Sequence, residues 1–425
     1  MNLSFFIAKR VVAAGQAAFA RLIIRIATAA VAVSVAVMII AVCLIKGFKN
    51  EISAKMFGFW GHIHITSIAV NTTFEPTPIE VNPSFLDSLK QVKAVQFVHR
   101  KTGLTLKTQG GIAHAQAYAT KAGIIKTKDN FEGIVLKGVS KDYNWDFIKH
   151  NLDSGRILSP SSDSALSRDI LISQSTANRL KLKTGSKFII HFVKDNQQQQ
   201  RVFQVSGIYR TGLEEYDKQF AIVDIQQVQD LLGWSPTQVA GFEVFTQNLS
   251  DLGNMNDYIA QELIPNNLYT MTIKQEQPAI FQWLDLQDVN EAIILGLMLV
   301  VGILNMVTAL LILILERTNM IGMLKAMGSS DKVIQRIFLY YGGMIVGIGL
   351  LIGNFIGLGL CFLQSKYKFI KLSESDYYLS VAPVHFDIPL ITMVNVGTFL
   401  ITLLFLILPT FLVTKISPLK AIRFK

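Results

Sequence analysis

The sequence predicts an α-helical membrane protein with four transmembrane helices plus a large mixed α+β domain inserted between the first and second spans. Three observations lead to this fold class. Apolar residues make up 51% of the chain and charged residues only 16%, whereas about 25% of an ordinary soluble protein is charged. Four long runs contain no charged residue, and a domain-sized segment separates the first run from the second.

Each uncharged run is long enough to cross a bilayer, because a hydrocarbon core of about 30 Å requires roughly 20 apolar residues in a helix. The first run begins after residue 25, and no small-x-small cleavage site ends it, so we expect it to remain as an anchor. The predicted spans are residues 26–45, 292–315, 337–363 and 388–414.

Basic residues beside the spans predict the side of the membrane that each connection occupies. Residues 1–25, 316–336 and 415–425 together contain an excess of basic residues equal to the formal net charge of +10. Lys and Arg near the ends of spans tend to remain in the cytoplasm. We therefore expect a cytoplasmic amphipathic N-terminal segment, a cytoplasmic loop and a cytoplasmic tail. Membrane orientation accounts for the whole excess, so the charge does not indicate nucleic-acid binding.

Residues 46–291 are then expected to form one extracytoplasmic domain, with residues 364–387 as a short loop on the same side. Within the domain, strand-like segments such as KFIIHF and GFEVFT alternate with helical segments such as IQQVQDLL. Cys43 and Cys361 both fall inside spans. The domain is therefore expected to have no disulfide and to depend on its hydrophobic core.

Motifs of common enzymes are absent from the sequence. It contains no GK[ST] nucleotide-binding loop, no GxSxG nucleophile elbow and no HExxH zinc motif. His62 and His64 would share one face of a strand, but the sequence places no third ligand beside them, so we expect no metal site. Few ionisable groups lie in the spans, which argues against an ion pathway. Asn305 is expected to form an interhelical hydrogen bond.

Small residues recur along the third span. Gly349, Gly353 and Gly357 are four residues apart, so they share one face of a helix and allow another helix backbone to approach closely in lipid. That other helix belongs either to this chain or to a second subunit, and the spacing does not decide between them.

The segment ERTNMIGMLKAMGSS, residues 316–330, lies between the second and third spans and predicts a short helix at the membrane surface. Its apolar residues recur at spacings of three and four, Gly328 can end the helix, and Ser329 or Ser330 can begin the next one. The apolar face, formed by Met320, Ile321, Leu324 and Met327, suits either lipid headgroups or a groove on a partner protein.

This segment resembles the coupling helix of FtsX-like permeases of ABC transporters, which contacts the ATPase subunit. Four further segments resemble lipoprotein-releasing permeases of the LolC and LolE type: IKGFKNEISAKMFGFWGHIHI, ILISQSTANRLKLKTGSKFIIHF, FQVSGIYRTGLEEYDKQFAIVDIQQVQDLL and SPLKAIRF. The resemblance therefore extends from the first span to the C-terminal tail.

The resemblance implies a permease subunit of the bacterial inner membrane, with both termini cytoplasmic and a MacB-like periplasmic domain. Such a subunit is not itself an enzyme and has no cofactor, because ATP and Mg²⁺ bind to a separate ATPase dimer. It works with a second permease subunit, either a copy of itself or a paralogue. Together they extract lipoproteins from the inner membrane and transfer them to a periplasmic chaperone.

The resemblance also implies roles for particular residues. The lipid or cargo site is expected at Met38, Val42, Ile45, Leu297 and Val301. Chaperone docking is expected at Asp195, Asn196 and Gln197, although this segment is short and lacks proline, which equally fits a LolE-like subunit that does not recruit the chaperone. The ATPase-coupling residues are expected to be Glu316, Arg317, Met320, Ile321, Leu324, Lys325, Met327 and Gly328.

Two other classes of permease remain as alternatives. A MacB-like mechanotransmitter drives the export of another substrate, but such proteins usually carry an ATPase fused before the first span. An FtsX-like regulator of cell division usually carries a much smaller extracytoplasmic domain than residues 46–291. We therefore expect lipoprotein release first, mechanotransmission second and division signalling third.

Overall fold

A computed structural model of the protein describes residues 18–68, 76–80, 83–126, 131–158, 167–194 and 197–416. The chain forms two compact units. The first comprises the residues up to Glu51, Gln282–Lys371 and the residues from Val381 onward, and the second comprises Ile52–Phe281 and Leu372–Ser380.

The elements are numbered along the chain. The α-helices are α1 Ala18–Trp60, α2 Pro83–Lys90, α3 Asp146–His150, α4 Gln174–Leu180, α5 Glu214–Gln219, α6 Ile225–Leu232, α7 Leu252–Tyr258, α8 Ile273–Glu276, α9 Pro278–Glu316, α10 Thr318–Ala326, α11 Asp331–Tyr367, α12 Glu374–Tyr377 and α13 Ile388–Thr410. The strands are β1 Ile63–Ser67, β2 Ile79–Glu80, β3 Gln96–Val98, β4 Thr105–Lys107, β5 Ile112–Lys126, β6 Phe131–Val139, β7 Leu152–Gly155, β8 Asp169–Ser173, β9 Lys187–Lys194, β10 Gln197–Tyr209, β11 Phe220–Asp224, β12 Gln238–Val239, β13 Gly241–Thr246 and β14 Leu268–Thr272.

Four helices of the described residues are long and apolar enough to cross a membrane: α1, α9, α11, and α13 with the 3₁₀ turn Phe411–Lys415 that follows it. Each predicted span lies inside one of them. The helices extend beyond the apolar runs because the flanking residues are also compatible with helix. The predicted fold class, four membrane helices with a mixed α and β domain between the first and second, is confirmed.

The first unit is held together by one apolar cluster to which all four long helices contribute. Its fully buried members include Val35 of α1, Met306 of α9, Val346 of α11 and Leu406 of α13. Cys43 and Cys361 are buried in the same cluster as free thiols. At the start of α13, the Asp387 carboxylate accepts a hydrogen bond from the Leu390 N–H at 3.1 Å and so caps the helix.

The glycine stripe of α11 lies against α1 of the same chain. A Cβ atom on Gly353 would lie 2.6 Å from the carbonyl oxygen of Ala32, and one on Gly357 would lie 3.1 Å from that of Ala36. Gly349 meets the side chain of Val31 in the same way. Only glycine permits this approach, so the stripe sets the distance between the two helices.

Interhelical amide hydrogen bonds join α11 to α13. The side-chain amides of Asn354 and Asn395 donate to each other's oxygen atoms, at 2.6 and 3.0 Å. Asn305, for which the sequence predicts such a bond, lies on an exposed face of α9 instead. Periodicity could not distinguish these asparagines, because almost every other residue around them is apolar.

The second unit is built on a ten-stranded mixed sheet. Its strands lie in the order β14-β1-β13-β5-β6-β11-β8-β10-β7, with β9 paired to β10 and β5. The pairs β6–β11 and β8–β10 are parallel, and the other pairs of this sheet are antiparallel. Helix α6 packs on β5 and β6. Asp224 caps its start, and Gly233, with φ of +69°, ends it.

The segment Leu372–Ser380, which includes α12, belongs to this second unit. Glu374 pairs with Arg210, whose Nη2 atom lies 2.5 Å from the carboxylate oxygen. Lys55 Nζ donates a hydrogen bond to the carbonyl oxygen of Tyr378 at 3.0 Å. These polar contacts fix the segment to the domain.

Candidate functional site

Helix α10 is the short helix that the sequence predicts between the second and third spans. Gly328 follows its last turn with φ of +88°, a left-handed conformation that suits glycine. The N–H groups of Gly328 and Ser329 donate to the carbonyl oxygens of Lys325 and Leu324, each at 3.0 Å. Ser330 then occupies the N-cap position of α11. The chain therefore stops one helix and starts the next within four residues.

One face of α10 packs on the apolar cluster of its own unit. Ile321 is fully buried in that cluster together with Ile334 and Phe338, and Met320 and Leu324 pack against it while partly buried. The apolar stripe found in the sequence is therefore mostly turned toward the membrane helices. Ile321 has no surface that a partner protein can reach.

The opposite face of α10 is open. Asn319, Met323, Ala326 and Met327 are exposed, and their spacing of four, three and one residues places them along one side of the helix. Met323 and Met327 are 55% and 76% exposed. Flexible, polarisable methionine side chains suit a protein-binding surface. We call these four residues the exposed stripe. The sequence analysis did not identify Met323. Together with Met327, it gives the exposed stripe two large apolar side chains.

Lys325 connects α10 to the end of the fourth span. Its ammonium group donates hydrogen bonds to the carbonyl oxygens of Val413 and Ile416, at 2.8 and 2.9 Å, and lies 2.8 Å from the Asp331 carboxylate. The side chain is only 11% exposed. Lys325 is therefore a positioning residue for α10, since its charge is turned inward.

Two of the predicted coupling residues precede α10. Glu316 is the last residue of α9 and is exposed, whereas Arg317 is partly buried at the junction of the two helices. The N–H of Arg317 donates to the carbonyl oxygen of Leu313 at 3.1 Å, and the N–H of Ile321 donates to that of Arg317 at 3.0 Å. These two backbone hydrogen bonds connect the end of α9 to the first turn of α10.

The structure does not bring the predicted lipid or cargo residues together on one surface. Met38 and Val42 are buried in the apolar cluster, and Ile45 is partly buried. Leu297 and Val301 of α9 are 58% and 44% exposed. Of the five residues, only these two are exposed in the single chain. The sequence could not separate them, because all five must be apolar in a span.

The predicted chaperone-docking segment lies at the hairpin between β9 and β10. Asp195 and Asn196 lie outside the described residues, whereas Gln197 is the first residue of β10 and is exposed. Residues Gln197–Gln200 pair with β9, Gln197 opposite Lys194 and Gln200 opposite His191. The glutamine run is thus part of a strand, because its backbone groups pair with those of β9.

His62 and His64 each have a protein partner. Nδ1 of His62 lies 3.0 Å from Thr246 Oγ1, and burial lowers the pKa of His62 to about 4. Nδ1 of His64 contacts a carboxylate oxygen of Glu276 at 2.5 Å. Among the residues that the structure describes, no group of three or more His, Cys, Asp or Glu side chains could hold a metal ion.

Two regions of the chain match known protein families. Residues 26–262 match the MacB-like periplasmic core domain, and residues 292–418 match the C-terminal region of FtsX-like permeases. The lipoprotein-releasing system transmembrane protein LolE of Haemophilus influenzae is 23% identical over 445 aligned residues, which cover 98% of each protein. The lipoprotein-releasing system transmembrane protein LolC of Neisseria meningitidis is 20% identical, over 96% of this chain and 95% of that protein.

One solved structure is also similar. The extracellular domain of the noncanonic ABC-type transporter YknZ from Gram-positive bacteria is 16% identical and superposes with a TM-score of 0.32. The match covers 49% of this chain and 98% of that domain.

Proposed function

Because the chain belongs to the FtsX-like ABC transporter permeases with a MacB-like periplasmic core domain, we propose that it extracts lipoproteins from the inner membrane and transfers them to a periplasmic chaperone. A separate ATPase subunit drives the cycle and binds the ATP and Mg²⁺. In this arrangement both termini and α10 are cytoplasmic, and the β-sheet unit is periplasmic.

The observation that carries this proposal is the length of the match to lipoprotein-releasing proteins. The alignment with LolE of Haemophilus influenzae covers 98% of both chains, so it includes the membrane helices, α10 and the sheet domain. A match confined to the membrane part would support any FtsX-like permease. The full-length match favours lipoprotein release over mechanotransmission for another substrate and over cell-division signalling.

The ATPase is proposed to bind the exposed stripe of α10. Met323 and Met327 offer apolar contact, whereas the other face of the helix is already covered by its own chain. Lys325 would then hold α10 to the turn that follows α13, and Ile321 would hold it to the apolar cluster. A displacement of α10 by the ATPase would be transmitted through these contacts to the ends of the second, third and fourth spans.

A second permease subunit, either another copy or a paralogue, is proposed to face the accessible side of α9. Ile293, Leu297, Val300 and Leu304 are exposed there at spacings of three and four, which gives one continuous apolar side. The lipid anchor of a lipoprotein would contact Leu297 and Val301 between the paired subunits. Chaperone docking is proposed near Gln197, at the hairpin of β9 and β10.

Depletion of this permease in its own cells tests the proposal. We expect a labelled lipoprotein to accumulate in the inner membrane, and expression of the wild-type chain to restore its export. The double variant Met323→Asp, Met327→Asp should reach the membrane in normal amounts but fail to restore export, since it puts charge on the proposed ATPase contact. Asn266→Asp, a substitution at an exposed position in the periplasmic domain, is the matched control and should restore export. Normal lipoprotein export in depleted cells would refute the proposal.

A further inference from the structure

The end of α1 carries a charge network that none of the proposed functions uses. The last carbonyl groups of a helix have no partners within the helix and carry partial negative charge. Here the Phe59 carbonyl oxygen accepts a hydrogen bond from Lys137 Nζ at 2.5 Å, and the Trp60 carbonyl oxygen accepts one from His64 Nε2 at 2.6 Å. Two cationic side chains from the sheet therefore cap consecutive residues of α1.

Each cation has a carboxylate partner. Lys137 Nζ lies 2.6 Å from a carboxylate oxygen of Glu243, and His64 Nδ1 lies 2.5 Å from one of Glu276. Gln116 Nε2 donates to the other Glu243 oxygen at 2.7 Å. Lys137, His64 and Glu243 are buried, whereas the Glu276 side chain is 38% exposed and gives protons a route to the network.

The geometry requires a proton on both ring nitrogens of His64. Nε2 faces a carbonyl oxygen and Nδ1 faces a carboxylate oxygen, so each nitrogen must donate, which only imidazolium can do. The charged form also balances the network, with two cations against two carboxylates. Burial alone would lower the pKa of His64, but Glu276 and then Glu243 raise it above its ordinary value.

The network joins the two chain segments that lead to the first and second spans. Lys137 is on β6, Glu243 on β13 and His64 on β1. Glu276 is the last residue of α8, and α9 begins two residues later, at Pro278. Both the end of α1 and the approach to α9 are thus fastened to one sheet.

The titratable groups around His64 come from several elements. Glu243, Lys137 and Glu276 are those already described, and Tyr118 of β5 has its ring centroid 5.6 Å from that of His64. From α5, Tyr216 packs against Trp60, and Glu215 lines the same recess as His64. The carboxylates and His64 itself are the groups in this set that change charge between about pH 4 and 8 in ordinary surroundings.

We propose that His64, Lys137, Glu243 and Glu276 form a proton-controlled clamp that fastens the end of α1 and the approach to α9 to the periplasmic sheet. With His64 protonated, both of its hydrogen bonds are present and the clamp is closed. Loss of that proton removes either the bond to Trp60 or the bond to Glu276, and leaves the carboxylates of Glu243 and Glu276 with one cation, Lys137. The clamp then opens on the His64 side, while Lys137 still holds Phe59.

The direction of the pH effect follows from the raised pKa of His64. The folded-state pKa lies above the unfolded value, which is about 6.5. The stabilisation is therefore fully present below about pH 6.5. It is lost as the pH rises through the higher pKa of the folded protein.

Fluorescence of Trp60 can report this titration, because its indole ring lies 5.7 Å from the His64 ring and protonated imidazole quenches indole. The experiment uses the full chain in lipid nanodiscs, with its other tryptophans, Trp145, Trp234 and Trp283, replaced by phenylalanine. We expect a titration midpoint above about pH 6.5. His64→Gln should abolish it, and Glu276→Gln should lower it. His62→Gln is the matched control and should leave it unchanged, since His62 contacts Thr246 instead.

Hydrogen–deuterium exchange of residues 52–60, corrected for the intrinsic effect of pH, tests the release itself. We expect exchange to become about tenfold faster as the pH crosses the midpoint, the worth of about one charge-assisted hydrogen bond. His64→Gln should show fast exchange at both pH values. If the midpoint is absent, or if wild-type exchange is equal on both sides of it, the proposal is wrong. If His64→Gln fails to fold, Glu276→Gln provides the same comparison through its shifted midpoint.

Discussion

Replacing Lys325 with methionine should release α10 from the end of the fourth span. The substitution keeps the length of the side chain but removes the ammonium group that contacts the carbonyl oxygens of Val413 and Ile416 and the carboxylate of Asp331. Val413 lies in the 3₁₀ turn that ends the fourth span, where carbonyl groups lack full intrahelical pairing, and its oxygen also accepts the Ile416 N–H at 3.3 Å.

The magnitude follows from the three contacts. A hydrogen bond to a charged group contributes about 1.5–3 kcal/mol, and the two carbonyl oxygens share one ammonium group. The pair with Asp331 adds about 0–1 kcal/mol, because that carboxylate is 44% exposed. We expect Lys325→Met to weaken the docking of α10 by about 1.5–4 kcal/mol, which corresponds to roughly 10- to 700-fold more frequent opening.

Hydrogen–deuterium exchange of the peptide covering residues 318–328 measures this opening in the full chain in nanodiscs. Exchange should accelerate in Lys325→Met and stay at the wild-type rate in the matched control, Lys332→Met, whose side chain is exposed on α11. Less than threefold acceleration in Lys325→Met, which corresponds to about 0.6 kcal/mol, would refute the positioning role.

Two further substitutions test packing in each unit. Gly353→Ala should destabilise the first unit by about 1–3 kcal/mol, because its Cβ atom would lie 2.6 Å from the Ala32 carbonyl oxygen; thermal unfolding in detergent measures this. Lys137→Met should cost the second unit about 3–5 kcal/mol, because it leaves Glu243 buried without its cation. The double variant Lys137→Met, Glu243→Gln should recover most of that loss in the same assay.

The glycine prediction has a control on the same helix. A Cβ atom on Gly359 would meet nothing within 4 Å, so Gly359→Ala should unfold at the wild-type temperature or slightly above it. Equal unfolding temperatures for the two alanine variants would contradict the close approach of α11 to α1.

For the ion pair of Lys137 and Glu243, a double variant as unstable as Lys137→Met would show that loss of packing, and not the unpaired carboxylate, causes the destabilisation.

The four spans could be predicted because the length of an uncharged apolar run is a local property of the sequence. The residues at which these helices begin and end could not be predicted in the same way. Helix α1 continues to Trp60, past two glycines that would ordinarily weaken a helix. Gly47 lies close to the carbonyl oxygen of Pro383, and Gly58 lies against the ring of Phe147. These glycines serve close packing with residues far along the chain, which no sequence window reveals.

Helix α10 shows a second limit of the sequence. Periodicity correctly gives α10 an apolar stripe, but it does not say what the stripe faces. Ile321 is covered by helices of its own unit, so the residues left for a partner are Met323 and Met327 on the other side. Such contacts depend on the packing of spans that are distant in sequence.

Only two charged residues in apolar strands indicate the clamp in the sequence. Lys137 and Glu243 each interrupt an otherwise apolar strand, in GIVLKGV and GFEVFT. A charge in a buried strand indicates that a partner exists, because an unpaired buried charge is costly. The pattern cannot identify that partner, since the pair is separated by more than a hundred residues.

Release of a labelled triacylated lipoprotein from proteoliposomes tests the proposed function most directly. The vesicles contain this permease and its ATPase, with the purified periplasmic chaperone outside on the domain side, and transfer is measured with and without ATP. The proposal predicts lipoprotein–chaperone complex only with ATP, and loss of transfer in the Met323→Asp, Met327→Asp variant. ATP hydrolysis with no lipoprotein leaving the membrane would contradict lipoprotein extraction and would favour mechanotransmission through the periplasmic domain.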